Sequence, residues 1–143
     1  MALDNDTQLI SNLALDRILS LEISDDMPFI PNVDIDFDHY FDDVIGVTVP
    51  DLDTEKLHIV LRLHQVQFAY VTSKPLHPSQ KVVDSRLHKI SIDVKPNYEL
   101  DYHILALGPD IEVLEPLSYR EHIRGLLKDS LALYSMKLET AEK

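Results

Sequence analysis

The residues whose types could bind a ligand are concentrated in one short loop, YVTSKPLHPSQ, at positions 70–80. Pro75 and Pro78 restrict the backbone of this loop, which lowers the entropic cost of presenting its polar side chains. The predicted ligand- or partner-binding residues of the loop are Tyr70, Lys74, His77, Ser79 and Gln80. The alternative interpretation is purely structural. In it, His77 and Gln80 only form hydrogen bonds with backbone groups in the connection between a helix and a strand.

Aspartates at positions 34, 36 and 38 suggest a calcium-binding loop, because D-x-D-x-D opens the EF-hand motif. That loop needs Gly at its sixth position and a bidentate Glu at its twelfth. His39 and Ile45 occupy those positions here. We therefore predict that residues 34–43 form a short helix capped by an aspartate and ended by Gly46, and not a calcium site.

The seven histidines do not show the spacing of a metal site. On a strand, His58 and His64 are about 20 Å apart at roughly 3.3 Å per residue, so they cannot bind one ion together. His77, His103 and His122 show neither an HxxxH nor an HExxH spacing. We predict that the chain has no intrinsic metal site.

The sequence also lacks the familiar arrangements for covalent catalysis. There is no cysteine, no glycine-rich phosphate loop and no G-x-S-x-G elbow. Ser79 lies beside His77, but adjacent loop residues do not by themselves form a nucleophile with an oriented base. We predict no catalytic residue and no cofactor, and an enzyme is the third hypothesis behind two binding functions.

Composition narrows the class of protein further. The 143 residues suffice for one compact domain with a short extra segment, and the net charge is −12. This charge repels phosphate backbones, so we predict no direct binding to duplex DNA. No apolar run reaches the eighteen or so residues of a membrane helix, and the N-terminus is acidic where a signal peptide is basic. These observations predict a cytoplasmic protein with no membrane association.

The periodicity of the chain predicts the elements that position the loop. From residue 57 onward the predicted order is strand (57–63), helix (65–73), strand (81–83), strand (87–95), helix (97–107), strand (111–114) and helix (118–138). Asn97 is predicted to cap the second helix, Gly108 to end it, and Ser118 with Glu121 to form a capping box for the last helix. Val66, Ala69 and Tyr70 are predicted on one side of the first helix.

This βαββαβ order predicts an α+β fold with a ferredoxin-like antiparallel sheet over residues 56–116 and a closing helix over 118–138. Residues 13–23, LALDRILSLEI, are rich in branched and apolar side chains and predict an additional strand, with a short helix as the alternative.

Four segments together resemble WYL-domain transcriptional regulators. They are LALDRI (13–18), PLHPSQ (75–80), NYELDYHILALG (97–108) and IEVLEPLSYREHI (111–123). The last three are similar to the C-terminal extension that follows the WYL domain, a small Sm-like barrel. The resemblance implies that residues 1–30 correspond to the last strand region of the WYL barrel with a linker, and residues 31–143 to the extension. It also implies that Arg17 matches an arginine of the barrel's ligand-binding patch.

The leading hypothesis is a non-catalytic regulatory module, the effector-response and dimerisation part of a WYL-type regulator. The chain has no tryptophan and no recognisable DNA-binding helices, so this module is expected without its own helix-turn-helix. The resemblance implies a homodimer and, in the full-length family, a nucleic-acid or nucleotide effector. The alternative is an independent small-molecule or nucleotide-binding domain in which Tyr70, His77 and Gln80 line a pocket.

Overall fold

The computed structural model describes residues 2–4, 6, 10–11, 13–23, 26, 31–33, 36–51 and 53–135. The chain divides into two compact units, Met1–Phe41 and Asp42–Lys143. The described strands of the first unit are β1 (Ala2–Leu3) and β2 (Ile10–Ser11), which pair antiparallel. The second unit contains the main sheet and is the part that positions the functional surfaces.

The strand predicted for residues 13–23 is wrong. Leu15–Arg17 forms a 3-10 turn, in which the amide of Arg17 donates to the carbonyl of Ala14 at 3.1 Å. The other residues of this stretch have no regular structure, and their leucine and isoleucine side chains are exposed. An apolar alternating segment becomes a strand only where it can pair with an edge and bury one face, and this segment does neither.

The short helix predicted for residues 34–43 is also wrong where the structure describes this stretch. Residues 37–43 form consecutive turns, and the amide of His39 donates to the carbonyl of Asp36 at 3.3 Å. The carboxylate of Asp36 accepts a hydrogen bond from the amide of Asp38 at 3.1 Å. Such local side-chain bonds compete with a helix, so the aspartates favour turns here. Residues 34 and 35 lie outside the described residues.

The second unit has the predicted order of strand, helix, strand, strand, helix, strand and helix, so the α+β class is confirmed. Its elements are β3 (Leu57–Leu63), α1 (Gln65–Ser73), β4 (Lys81–Asp84), β5 (Lys89–Val94), α2 (Tyr98–Ala106), β6 (Ile111–Glu115) and α3 (Leu117–Ser135).

These four strands form one open antiparallel sheet in the order β4-β5-β3-β6. On the central strand β3, Ile59 pairs with Ile92 of β5, and Leu61 pairs with both Ile90 of β5 and Val113 of β6. These side chains are buried on one face, as their alternation predicts. The helix side chains buried in the same core are Val71, Leu100, Ile104, Tyr119 and Ile123.

The predicted boundaries of α2 are confirmed. The side chain of Asn97 accepts a hydrogen bond from the amide of Leu100 at 2.9 Å, which is the N-cap geometry. Gly108 follows the helix with φ of +52°, a conformation that glycine adopts without strain.

The side of α1 that carries Val66, Ala69 and Tyr70 is exposed. Contact with the core comes instead from Val71, which is buried, and from Phe68, which is half-buried. The helix is short and lacks a strong apolar stripe, so its sequence does not specify which side turns inward.

The capping box predicted for α3 is wrong. The helix begins at Leu117, and the carbonyl of Pro116 accepts the amide hydrogen of Arg120 at 3.0 Å. Pro116 therefore holds the N-cap position, and Ser118 lies inside the first turn. The structure describes the helix to Ser135, so the predicted end at 138 lies outside the described residues.

Candidate functional site

Two side chains of the predicted ligand-binding loop attach it to β5. Nδ1 of His77 lies 2.8 Å from the hydroxyl of Ser79 and 3.2 Å from the Ser79 amide. The same hydroxyl accepts a hydrogen bond from the amide of Asp93 at 2.8 Å and lies 3.2 Å from its carbonyl oxygen. Because His77 is buried, its ring and the Ser79 hydroxyl serve as connections within the fold.

Gln80 closes the same loop from its other end. Its side-chain nitrogen donates to the carbonyl of Val71 at 2.8 Å, and its side-chain oxygen accepts from the amide of Leu76 at 2.9 Å. His77, Ser79 and Gln80 are thus brought together, in the arrangement that the structural interpretation expects. A ligand contact by these residues stays a prediction.

The other predicted binding residues lie apart from that cluster. Tyr70 is exposed on α1, and its carbonyl accepts from the amide of Lys74 at 2.9 Å. Lys74 is exposed at the end of the helix. Arg17 belongs to the other compact unit, where its side chain is exposed. Their roles as ligand contacts also stay predictions.

Two side chains at the start of α2 hold the segment that precedes the sheet. The side-chain nitrogen of Asn97 donates to the carbonyls of Ile45 and Thr48, both at 2.8 Å. Oε1 of Glu99 accepts from the amides of Val47 and Thr48 at 3.2 and 3.0 Å and from the Thr48 hydroxyl at 2.7 Å. We call Asn97 and Glu99 together the α2 clamp.

The α2 clamp depends on a glycine and on an ionised carboxylate. Burial raises the pKa of Glu99, but the hydrogen bonds from the Thr48 hydroxyl and the backbone amides outweigh it and hold the pKa below its usual value. Gly46 has φ of +82°, and a Cβ at this position would lie 2.7 Å from Cγ of Glu99. Glu99 is not among the residues predicted from the sequence, although an acidic residue in the first turn of a capped helix is the signal that indicates it.

A second polar cluster joins α2 to α3. The hydroxyl of Tyr119 donates to Oδ1 of Asp101 at 2.7 Å, and Nε2 of His122 lies 2.6 Å from Oδ2 of the same residue. The rings of Tyr119 and His122 stack with their centroids 5.8 Å apart. Burial, together with the Asp101 carboxylate, raises the pKa of Tyr119. This cluster seats the proximal half of α3 on the domain.

The distal half of α3 presents apolar side chains that the described chain leaves exposed. We call these four residues the distal stripe: Leu127, Leu131, Leu133 and Tyr134, with exposed fractions of 50%, 66%, 72% and 90%. The stripe continues the side of the helix that buries Tyr119 and Ile123. A soluble surface helix normally directs such a side toward a protein partner or its own core.

An apolar groove lies where the distal stripe begins. Its volume is about 200 Å³, and it lies between α2, β6 and α3. The side chains that form it include Leu105, Ile111, Val113, Ile123 and Leu127. Because Leu127 belongs to both the groove and the stripe, the two form one continuous apolar surface.

A comparison with protein-family models matches residues 55–131 to the WCX domain. This match covers more than half of the 143 residues. The chain belongs to the WCX domain family. WCX domains form the C-terminal part of WYL-type regulators, so the resemblance in the sequence is confirmed. A search of the curated proteins finds no match.

The WCX match begins two residues before β3 and ends within the distal half of α3. It therefore contains the whole sheet, the α2–α3 cluster and the first members of the distal stripe. Within its family the WCX domain is a regulatory C-terminal domain of WYL-type regulators, and domains of this family are typically non-catalytic.

Among the residues that the structure describes, no group of three or more His, Asp or Glu side chains is arranged to hold a metal ion. No helix in the described WCX domain, or elsewhere in the described chain, is long and apolar enough to span a membrane.

Proposed function

We propose that this WCX domain is the effector-response and dimerisation part of a WYL-type transcriptional regulator, and that it catalyses no reaction. The observation that carries the proposal is the distal stripe of α3, an apolar surface continuous with the groove beneath it. Exposed apolar surfaces of this kind mark sites of protein association. We propose a second copy of the chain as the partner, giving a homodimer.

Charge favours a second copy at this surface. The whole chain carries a net charge of −12, so two copies repel each other over most of their surfaces. Residues 124–135 carry only Arg124, Lys128 and Asp129 as charged side chains, a net charge of +1. The distal half of α3 is therefore a place where two copies meet with much less like-charge repulsion than the net charge of −12 gives elsewhere.

We further propose that the sheet with α1 and α2 is a ferredoxin-like arrangement. The βαββαβ element order and the strand order β4-β5-β3-β6 support this assignment. We also propose that residues 1–30 are a remnant of the WYL domain, that Arg17 belongs to its ligand-binding patch, and that the effector is a nucleic acid or nucleotide. On this proposal the module acts in the cytoplasm and does not itself bind duplex DNA.

Sedimentation equilibrium of the whole chain between about 1 and 300 µM tests the proposed dimer. We expect a reversible monomer–dimer equilibrium. Leu131→Asp should shift the chain to monomer, because it places a charge in the distal stripe and an unpaired buried charge is strongly unfavourable.

Ala132→Asp is the matched control for this experiment. It adds the same charge one residue later, about 100° around the same exposed helix, away from the stripe. We expect it to keep the wild-type association. A wild-type chain that stays monomeric over the whole concentration range, or two variants that dissociate equally, would contradict the proposal.

A further inference from the structure

Three chain segments border a second, open cavity of about 310 Å³ at the end of the sheet where β3 stops. The amide of Leu63 donates to the carbonyl of His88 at 3.0 Å, and the amide of His64 donates to the carbonyl of Asp110 at 2.8 Å. These bonds join the segments through backbone atoms alone. The backbone of the sheet therefore positions the side chains that line the cavity, among which Arg62 and Glu112 form an ion pair with each other.

Arginine and histidine side chains form most of the polar lining of this cavity. They are Arg62, His64, Arg86 and His88, accompanied by the carboxylates of Asp110 and Glu112. Within the described part of the chain, the guanidinium of Arg86 has no ion-pair partner. A guanidinium in this state is available to bind an anion bidentately.

The carboxylate of Glu112 repels an anion less than a free carboxylate would, because it is ion-paired. This carboxylate forms ion pairs with Arg62 and, at 2.8 Å, with Arg120. The guanidiniums of Arg120 and Arg62 together hold the pKa of Glu112 below its usual value. The lining itself holds two guanidiniums, of Arg62 and Arg86, and two carboxylates, of Asp110 and Glu112, so these groups sum to zero charge in a chain whose net charge is −12.

The turn between β4 and β5 fixes two members of this lining. The carboxylate of Asp84 accepts from the amides of Arg86 and Leu87 at 2.8 and 3.1 Å. His88 has φ of +51°, a backbone conformation that few non-glycine residues adopt, and its ring packs on Phe68 with the centroids 5.1 Å apart. The backbone positions of Arg86 and His88 are thereby set before any ligand arrives.

We infer that this cavity binds the phosphate group of a small phosphorylated molecule, with Arg86 as the main contact and Arg62, His64 and His88 around it. The volume lies at the lower end of the range for small-molecule sites, which suits a sugar phosphate better than a dinucleotide. The inference goes beyond the proposed dimer, because no residue of the distal stripe lines the cavity.

Amide NMR titration of the whole chain tests the site with three probes: inorganic phosphate, ribose 5-phosphate and ribose. We expect saturable shifts at residues 62–64, 86–88 and 109–112 with both phosphates and none with ribose. Arg86→Ala should weaken phosphate binding about tenfold or more. Asp110→Asn should strengthen phosphate binding about two- to threefold. Asparagine has a similar size and shape to aspartate but lacks the negative charge that repels phosphate.

Lys128→Ala is the control for a general loss of positive charge, since Lys128 is exposed on α3 and does not line the cavity. Its phosphate affinity should match that of the wild type. The inference is overturned if the shifts spread over the chain without saturating, if ribose alone reproduces them, or if Lys128→Ala and Arg86→Ala weaken binding equally. None of these outcomes depends on whether the chain dimerises.

Discussion

The hydroxyl of Tyr119 donates a hydrogen bond of 2.7 Å to Asp101 and so joins the first turn of α3 to α2. Tyr119 is buried, whereas most of the helix beyond Ile123 is exposed. The bond therefore lies within the part of α3 that belongs to the core, at the opposite end of the helix from the distal stripe.

Replacement of Tyr119 by Phe should lower the free energy of unfolding by about 1–2 kcal/mol, because Asp101 loses a hydrogen bond in a partly buried place. Urea denaturation measures this change. Tyr98→Phe is the control, since Tyr98 is exposed and its ring contact with Tyr102 survives the substitution. Equal effects of the two substitutions would contradict the structural role of the Tyr119 hydroxyl.

Two glycine substitutions should have opposite signs. Gly46→Ala should lower the free energy of unfolding by about 1–3 kcal/mol, because φ is +82° and the new Cβ meets the side chain of Glu99. Gly125→Ala should raise it by about 1 kcal/mol, because this glycine lies inside α3 with open space around it. Thermal or urea unfolding of both variants checks the pair, and a common sign would contradict the backbone assignment at one of them.

The side chain of Asn97 has two roles, as the cap of α2 and as a donor to the segment before the sheet, and two substitutions can distinguish them. Asn97→Asp keeps an oxygen to accept from the amide of Leu100 but loses the donors to the carbonyls of Ile45 and Thr48. We expect faster amide hydrogen exchange in residues 45–48 with little change in the first turn of α2. Asn97→Ala should release both segments and cost about 2 kcal/mol or more. Identical exchange patterns in the two variants would show that the roles are not separate.

The α2 clamp should weaken in acid. The pKa of Glu99 is lower in the folded chain than the ordinary value of 4.5. Its contribution to stability is therefore fully present above about pH 4.5 and is lost as the pH falls through the lowered folded-state pKa. Unfolding free energies between pH 6 and pH 3 should fall less steeply for Glu99→Gln than for the wild type. Parallel pH profiles would rule out this linkage.

The sheet could be predicted because its signals are local and mutually consistent. The alternation in β3 and β5, the cap at Asn97 and the stop at Gly108 all reappear in the structure. The strand that failed has a non-local cause. Residues 13–23 carry the same apolar alternation as a strand, but strand formation also requires an adjacent edge, which no local pattern specifies.

The candidate site was only partly predictable for a related reason. Residues 74–80 were identified by their types, but their hydrogen bonds depend on contacts with Val71 and Asp93, which lie in other elements. The cavity at the end of β3 combines three segments that are distant in the sequence, so no single stretch reveals it. The exposure of the distal stripe could not be predicted from the sequence either. The apolar periodicity of a helix is the same whether or not the rest of the chain covers its apolar side.

By itself, the sequence determined the order of the elements, the α+β class, the charge and the resemblance to WYL-type regulators, because these depend on residue type and short-range periodicity. Only the tertiary structure decided which apolar sides are buried, which polar groups Asn97 and Glu99 hold, and that Arg62 and Arg86 line one cavity. The physical reason is that burial and hydrogen bonding between distant segments depend on how the whole chain packs, whereas capping and alternation are settled within a few residues.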